Sequence, residues 1–521
     1  MRREDPFVRN EHTLQIGLYR EGKVIMRSLA NSKFNRTFAN WFVYNLVCIL
    51  SINYLAASKV LNICDFGAIV GVKTPAAAQK NTLAINNAFN ASMPGDTILI
   101  SKGSEFFATG GIVGFNLINV TILLLGQLRA IPDIKSWPLQ QLELPRSTTN
   151  NTMANPRFQH VNEAKYMHFI HLINCSGVSI SGTAPYPSKA DGSGQSLVDG
   201  NGLVWWNKYV ISTKYAKRPK LIVIEKSENI VVENMTAINS PSFHMLLKDN
   251  INVIVRFVTI NVDRKLKAAR EKTKRILLAN ENVEDGLQPE DLNTDGIDPS
   301  GKNVHVHHVF INNDDDSIAV KPCSRDSCDK ANCSEDMLFE DMIVTGFGLS
   351  IGSVPPHKIA NCVRNITFRR ISMPKTGKGI YIKSNPSCDE NSSAVIENIV
   401  YEDINITYPR WWAIWIGPQQ QHEPGQTLGL KCPLDYPITS RCPTQSCVTF
   451  NNITLRNIHI EKPVLSPGVI LGNQSNPMRN IVFDNVRVND PGKWPFDHAY
   501  QCKHAHIRSI GGTMPAPLCL Q

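Results

Sequence analysis

The sequence predicts an all-β protein, a single-stranded right-handed parallel β-helix, and three observations carry that prediction. First, a phrase of the form Asn, apolar, any, apolar recurs. It reads Asn229-Ile230-Val231-Val232, Asn252-Val253-Ile254-Val255, Asn303-Val304-His305-Val306 and Asn365-Ile366-Thr367-Phe368, then begins again at Asn398, Asn452 and Asn480. Second, the successive asparagines are 23, 51, 62, 33, 54 and 28 residues apart, in the range of a solenoid; the three long gaps hold two turns, or one turn and an insertion. Third, the runs between turns are short and β-branched, bounded by Asn and Gly. Each Asn of the phrase reads as a turn or ladder residue, not as part of a site.

In chain order, residues 1–58 are an N-terminal extension and secretory signal peptide, and 59–521 the β-helix domain. Residues 1–38 are polar and basic, Trp41 to Ala57 is mostly apolar, and Ala56-Ala57-Ser58 supplies small residues for cleavage near Ala57–Lys59. Met26 would start a signal of ordinary length. A signal anchor is the alternative, but the apolar run is short for a bilayer and contains Asn45 and Asn53. Cysteine usage agrees with export: 13 in all, Cys48 within the signal, and clusters at Cys323/Cys328/Cys333 and Cys432/Cys442/Cys447 that suggest disulfides. Neither cluster has the paired Cys-x-x-Cys spacing of a zinc site. Sequons at Asn119, Asn234, Asn365, Asn405 and Asn452 are glycan candidates in an exported chain.

Asn62 to Ala68 opens the mature chain, and Thr82 to Phe89 has helical character suited to capping the open end of a coil. Two insertions break the rhythm. Residues 263–292 are basic in their first part and read as a solvated helix. Residues 409–443 carry Trp411, Trp412 and Trp415, whose spacing reads as core more than as a sugar platform. Cys502 and Cys519 are placed to tie down the tail. The net charge of +9 suits acidic partners; nucleic acid is not among those expected, and no cofactor or metal is expected either.

The candidate site is the stretch from Asn293 to Lys321. It reads Asn293-Thr294-Asp295-Gly296-Ile297-Asp298, then an alternating strand from Val304 to Ile311, then Asp314-Asp315-Asp316-Ser317-Ile318-Ala319-Val320-Lys321. Asp295 lies 20 and 21 residues from Asp315 and Asp316, about one coil, which sets the carboxylates side by side. Clustered carboxylates raise at least one pKa and so separate a proton donor from a base, the pair that glycoside hydrolysis requires. A calcium site or a solvated turn is the alternative.

These two motifs resemble the first two of the polygalacturonases, glycoside hydrolase family 28. Gly346-Phe347-Gly348-Leu349-Ser350-Ile351-Gly352-Ser353 resembles the third and Gly379-Ile380-Tyr381-Ile382-Lys383 the fourth. Asp199-Gly200-Asn201-Gly202 with Trp205-Trp206, and Asn239-Ser240-Pro241-Ser242-Phe243-His244, resemble further landmarks, in the family's order. The resemblance implies inverting hydrolysis of a pectic polysaccharide by a secreted, cell-wall-acting monomer. It assigns Asp315 as general acid, with Asp295 and Asp316 as bases that position water, at an acid–base separation of about 6.5–9.5 Å. Asp298 becomes a structural hydrogen-bond partner. It implies substrate binding by Lys383, Tyr381, Phe347, Asn293 and His244. Two positions depart from the family: Phe347 stands where His is usual, and Tyr381 where Arg is usual. Losing the bidentate Arg suggests a substituted or rhamnose-containing pectin. A non-hydrolytic carbohydrate-binding β-helix and a polysaccharide lyase are the competing readings.

Overall fold

A computed structural model of the chain describes residues 58–140, 165–188, 193–208, 218–263, 293–323, 333–358, 360–384, 391–419 and 443–519. Residues 1–57, where the sequence suggests a signal peptide, residues 264–292 of the first insertion and 420–442 of the second lie outside the described residues. No helix among the described residues is long and apolar enough to cross a membrane.

Alternating β-branched runs can bury one face only by stacking on the next run, and that is how the chain folds. One sheet passes through Ile112–Phe115, Ile170–Ile173, Ile222–Glu225, the starts of Met245–Asn261 and Ile297–Asn312, then Ile318–Val320, Leu349–Val354, Ile380–Ser384, Ile414–Gln419, Gly468–Leu471 and Tyr500–Lys503. Every neighbouring pair in it is parallel. These are eleven strands among the described residues. Crossovers between parallel strands are right-handed, so the coil is a right-handed parallel β-helix. Inward residues align coil upon coil. Phe339, Phe368 and Tyr401 occupy one register position and stack at 4.8 Å, extending one apolar column along the axis.

The recurring asparagines form the turn that the sequence suggests. Asn229, Asn252, Asn303, Asn365, Asn398, Asn452 and Asn480 all have φ between 52° and 57°, the left-handed conformation that asparagine tolerates. Their amides make a ladder: Asn252 donates to Asn229 at 2.9 Å, Asn303 to Asn252 at 2.7 Å, and Asn452 to Asn398 at 2.8 Å. The gap from Asn303 to Asn365 is two coils, because Asp336 takes the intermediate position (φ 59°) and accepts from Asn365 at 3.0 Å. The gaps after Asn252 and Asn398 are single coils with an insertion, since Val253 pairs directly with Val304 and Ile399 with Ile453.

The helix is longer than the sequence suggests. It spans Pro75–Ala91, starts at a Thr74 cap whose side chain accepts from Ala77, and buries Ala77, Ala78, Ala84, Ile85, Ala88 and Phe89. Proline at the first turn and an accepting hydroxyl before it set that start. Cys333–Cys362 and Cys502–Cys519 are disulfides, the latter tying the tail as expected. Cys64 and Cys175 are free, so the even count does not mean full pairing.

Candidate active site

The first acidic motif sits where one coil enters its strand. Ile297 pairs with Ile318 of the next coil, and Gly296 N–H donates to Asp316 O at 2.9 Å, so the one-coil spacing brings the two motifs together. Asp295, Asp315 and Asp316 each present a carboxylate oxygen within 4.8 Å of the others. Asp295 and Asp316 are buried, and Asp315 is half-buried.

Backbone contacts lock this geometry. Phe347 N–H donates to Asp315 O at 2.6 Å. A Cβ on Gly346 would stand 2.2 Å from that same carbonyl and 2.1 Å from Asn313 Oδ1, so only glycine fits. Asn313, which the sequence analysis missed, donates its buried amide to the carbonyls of Thr294 (3.0 Å), Asp315 (2.9 Å) and Asp316 (2.9 Å). An Asn directly before an acidic run, at the end of a strand, is the signal that could have found it.

The carboxylates differ in their surroundings. Asp316 accepts from Lys383 Nζ at 2.8 Å and from Ser350 Oγ at 2.6 Å. Burial alone would lower the Lys383 ammonium, but Asp316 and Tyr381 outweigh it and raise the group above its usual range. For Asp295, burial first, then the like charges of Asp298 and Asp316, push the carboxyl well above the usual carboxylate range. Burial also raises Asp298, to about 7, against the pull of Lys321. Asp298 is not the hydrogen-bond partner expected of it: neither oxygen makes a hydrogen bond among the described residues, and Lys321 Nζ stands 3.9 Å away.

Of the expected substrate-binding residues, Asn293 Nδ2 bridges Asp295 (3.1 Å) and Asp315 (3.3 Å). Its amide therefore orients the carboxylates themselves. Lys383 is committed to Asp316. His244 is fully buried, with Nδ1 3.0 Å from the carbonyl of Asp295 and Nε2 accepting from Ser240 N–H. It supports the backbone under Asp295 and presents no surface to a sugar. Phe347 and Tyr381 are both only 3% exposed. Trp412 and Trp415 are fully buried, in keeping with their core spacing.

This arrangement can hold one proton high on Asp295 and a second carboxylate against a fixed cation, the asymmetry that acid–base chemistry uses. The same three oxygens have the donor type of a hard-cation site, although the Lys383 and Asn293 nitrogens already occupy part of that set.

Comparison with known proteins places the chain. An endo-polygalacturonase of Pectobacterium carotovorum subsp. carotovorum is 26% identical over 317 residues, 59% of this chain and 63% of that relative. The chain thus spans a little under two thirds of the length of that relative. The exopolygalacturonase of Thermotoga maritima shares the fold at a TM-score of 0.57, with 18% identity over 88% of this chain and 93% of the other. The endo-xylogalacturonan hydrolase of Aspergillus tubingensis shares it at 0.53, with 16% identity over 89% and 98%. The sequence profile of the glycosyl hydrolases family 28 matches residues 131–511, most of the coil and the whole carboxylate site, and the chain belongs to that family.

Proposed function

We propose that this protein hydrolyses glycosidic bonds in a pectic polysaccharide. The observation that carries the reading is the trio Asp295, Asp315 and Asp316 within 4.8 Å, with unequal environments, in a family 28 chain. Pectobacterium and Aspergillus relatives named for polygalacturonan and xylogalacturonan support the substrate class.

Asp315 is the acid that protonates the leaving oxygen, being the least buried of the three. Asp316, salt-bridged to Lys383, is the base for water. The raised pKa of Asp295 moves it away from the base role the family resemblance implies, and Asn293, donating to both Asp295 and Asp315, holds the two carboxyl groups side by side. General acid catalysis of this kind contributes about 10²–10⁴-fold.

The 4.8 Å limit joins the nearest oxygen of each carboxylate, whereas the ~6.5–9.5 Å of inverting and ~5–5.5 Å of retaining enzymes separate whole carboxyl groups. Inversion is the outcome the family resemblance implies; proton NMR of the first anomer released separates the two. The chain acts after export as a cell-wall-directed enzyme, on the strength of its N-terminal segment and sequons.

Incubation with a pectin panel tests the reading. New reducing ends without unsaturated uronides are expected. Unsaturated ends would mean elimination, and binding without cleavage would mean a carbohydrate-binding β-helix.

A further inference from the structure

Tyr381 belongs to a row of outward residues with one member per coil: Ser350, Tyr381, Trp415 and Val469. Three residues before Tyr381, in the turn that enters the same strand, lies Lys378. Its side chain is fully buried. Its Nζ stands 3.8 Å from the ring centre of Tyr381, 4.9 Å from that of Trp415 and 5.8 Å from that of Phe347. All three distances lie within the range in which an aromatic face stabilises an ammonium. Lys383 Nζ is 4.5 Å from the same Tyr381 ring. One phenol therefore has two ammonium groups against it, one of them salt-bridged to Asp316.

The turn is built to hold Lys378 there. Thr376 Oγ1 donates to the Lys378 carbonyl at 2.5 Å, and Gly377 N–H donates to Gly346 O at 2.7 Å. A Cβ on Gly348 (φ +87°) would come within 2.4 Å of the Lys378 carbonyl, so the third motif is kept bare where the lysine passes. The two aromatic replacements, Phe347 and Tyr381, are both walls of the cage.

We propose that Lys378 is a positioning residue that adds a cation from behind Tyr381, beside Lys383, so that this subsite still selects an acidic sugar. On sequence alone, Tyr381 argues for a less acidic substrate; the structure returns the charge from a neighbouring position. Lys378 acts through the Tyr381 ring and through its field, not by touching the sugar. The groups that face the pair include Phe347, Ser350, Trp415, Lys383 and, through Lys383, Asp316.

The proposal rests on the pectic reading above, and its test separates the two. A galacturonate tetrasaccharide and its methyl ester are titrated calorimetrically into the full chain and into Lys378→Met and Lys378→Arg. Methionine keeps the length and apolar packing; arginine keeps the charge. With one charge lost beside the subsite, Lys378→Met is expected to weaken binding of the acid by about tenfold and of the ester by less than about twofold. Its acidic pH–rate limb should move up by roughly half to one unit, because a cation that favours carboxylate ionisation is gone. Lys378→Arg should restore both. Equal loss for acid and ester, or no change with either, overturns the proposal and leaves hydrolysis standing. A wild type that prefers the ester also overturns it. A wild type that neither binds nor cleaves either compound brings down the pectic reading, and this inference with it.

Discussion

The same coils carry two very different faces. On the turn side, Asn303, Asn365, Asn398 and Asn452 repeat one conformation and one hydrogen bond, exposed to water. On the carboxylate side, nothing repeats: Asp298, Ala319, Ser350, Tyr381 and Trp415 occupy equivalent outward positions in successive coils. The ladder spreads small, similar contributions along the axis. The site concentrates buried charge in three or four coils, where each group depends on its neighbours. A repeat architecture permits this, since each coil rests mainly on the next one.

Substitutions sharpen that contrast. Asp315→Asn should lower kcat by about 10²–10⁴-fold with an unchanged melting temperature, because asparagine keeps the shape but has no proton to give. Lys383→Met strands Asp316 in a dry setting and should cost about 3–5 kcal/mol, read by denaturant unfolding; adding Asp316→Asn should recover part of that loss.

Asp298→Asn has a pH signature. The folded pKa of about 7 lies above the ordinary value of 3.8, so the contribution of this group is fully present below about pH 4 and is lost as pH rises towards 7. The variant should therefore flatten the fall in melting temperature between pH 4 and 8, and gain on the order of 2–4 kcal/mol over the parent at pH 8. At the small end, Asn398→Ala removes one donated and one accepted ladder bond at φ 56° and should cost about 1–2 kcal/mol with no change in kcat. A ladder variant that abolished activity would break the distinction between the two faces.

That contrast also explains how much could be read from sequence. The ladder was legible because its asparagines recur with apolar partners at fixed offsets. Asp336 hid one rung only because aspartate can adopt the same turn. The meeting of Asp295 with Asp315 and Asp316 was legible as a one-coil separation. Other parts depend on what sequence does not carry. The depth at which His244 lies, the lack among the described residues of a hydrogen bond to Asp298, and the cage around Lys378 come from side chains of different coils meeting in three dimensions. The departures at 347 and 381 were visible as departures; the lysine they surround was not, because an isolated Lys in a turn looks like any solvated charge.

The central claim is that the carboxylate trio adds water across a pectic glycosidic bond. Digestion of polygalacturonate in ¹⁸O-water, followed by mass spectrometry of the fragments, tests it most directly. The account predicts one ¹⁸O at each new reducing end for the wild type and almost no product for Asp315→Asn. Fragments without ¹⁸O, or an Asp315→Asn rate equal to wild type, would contradict it.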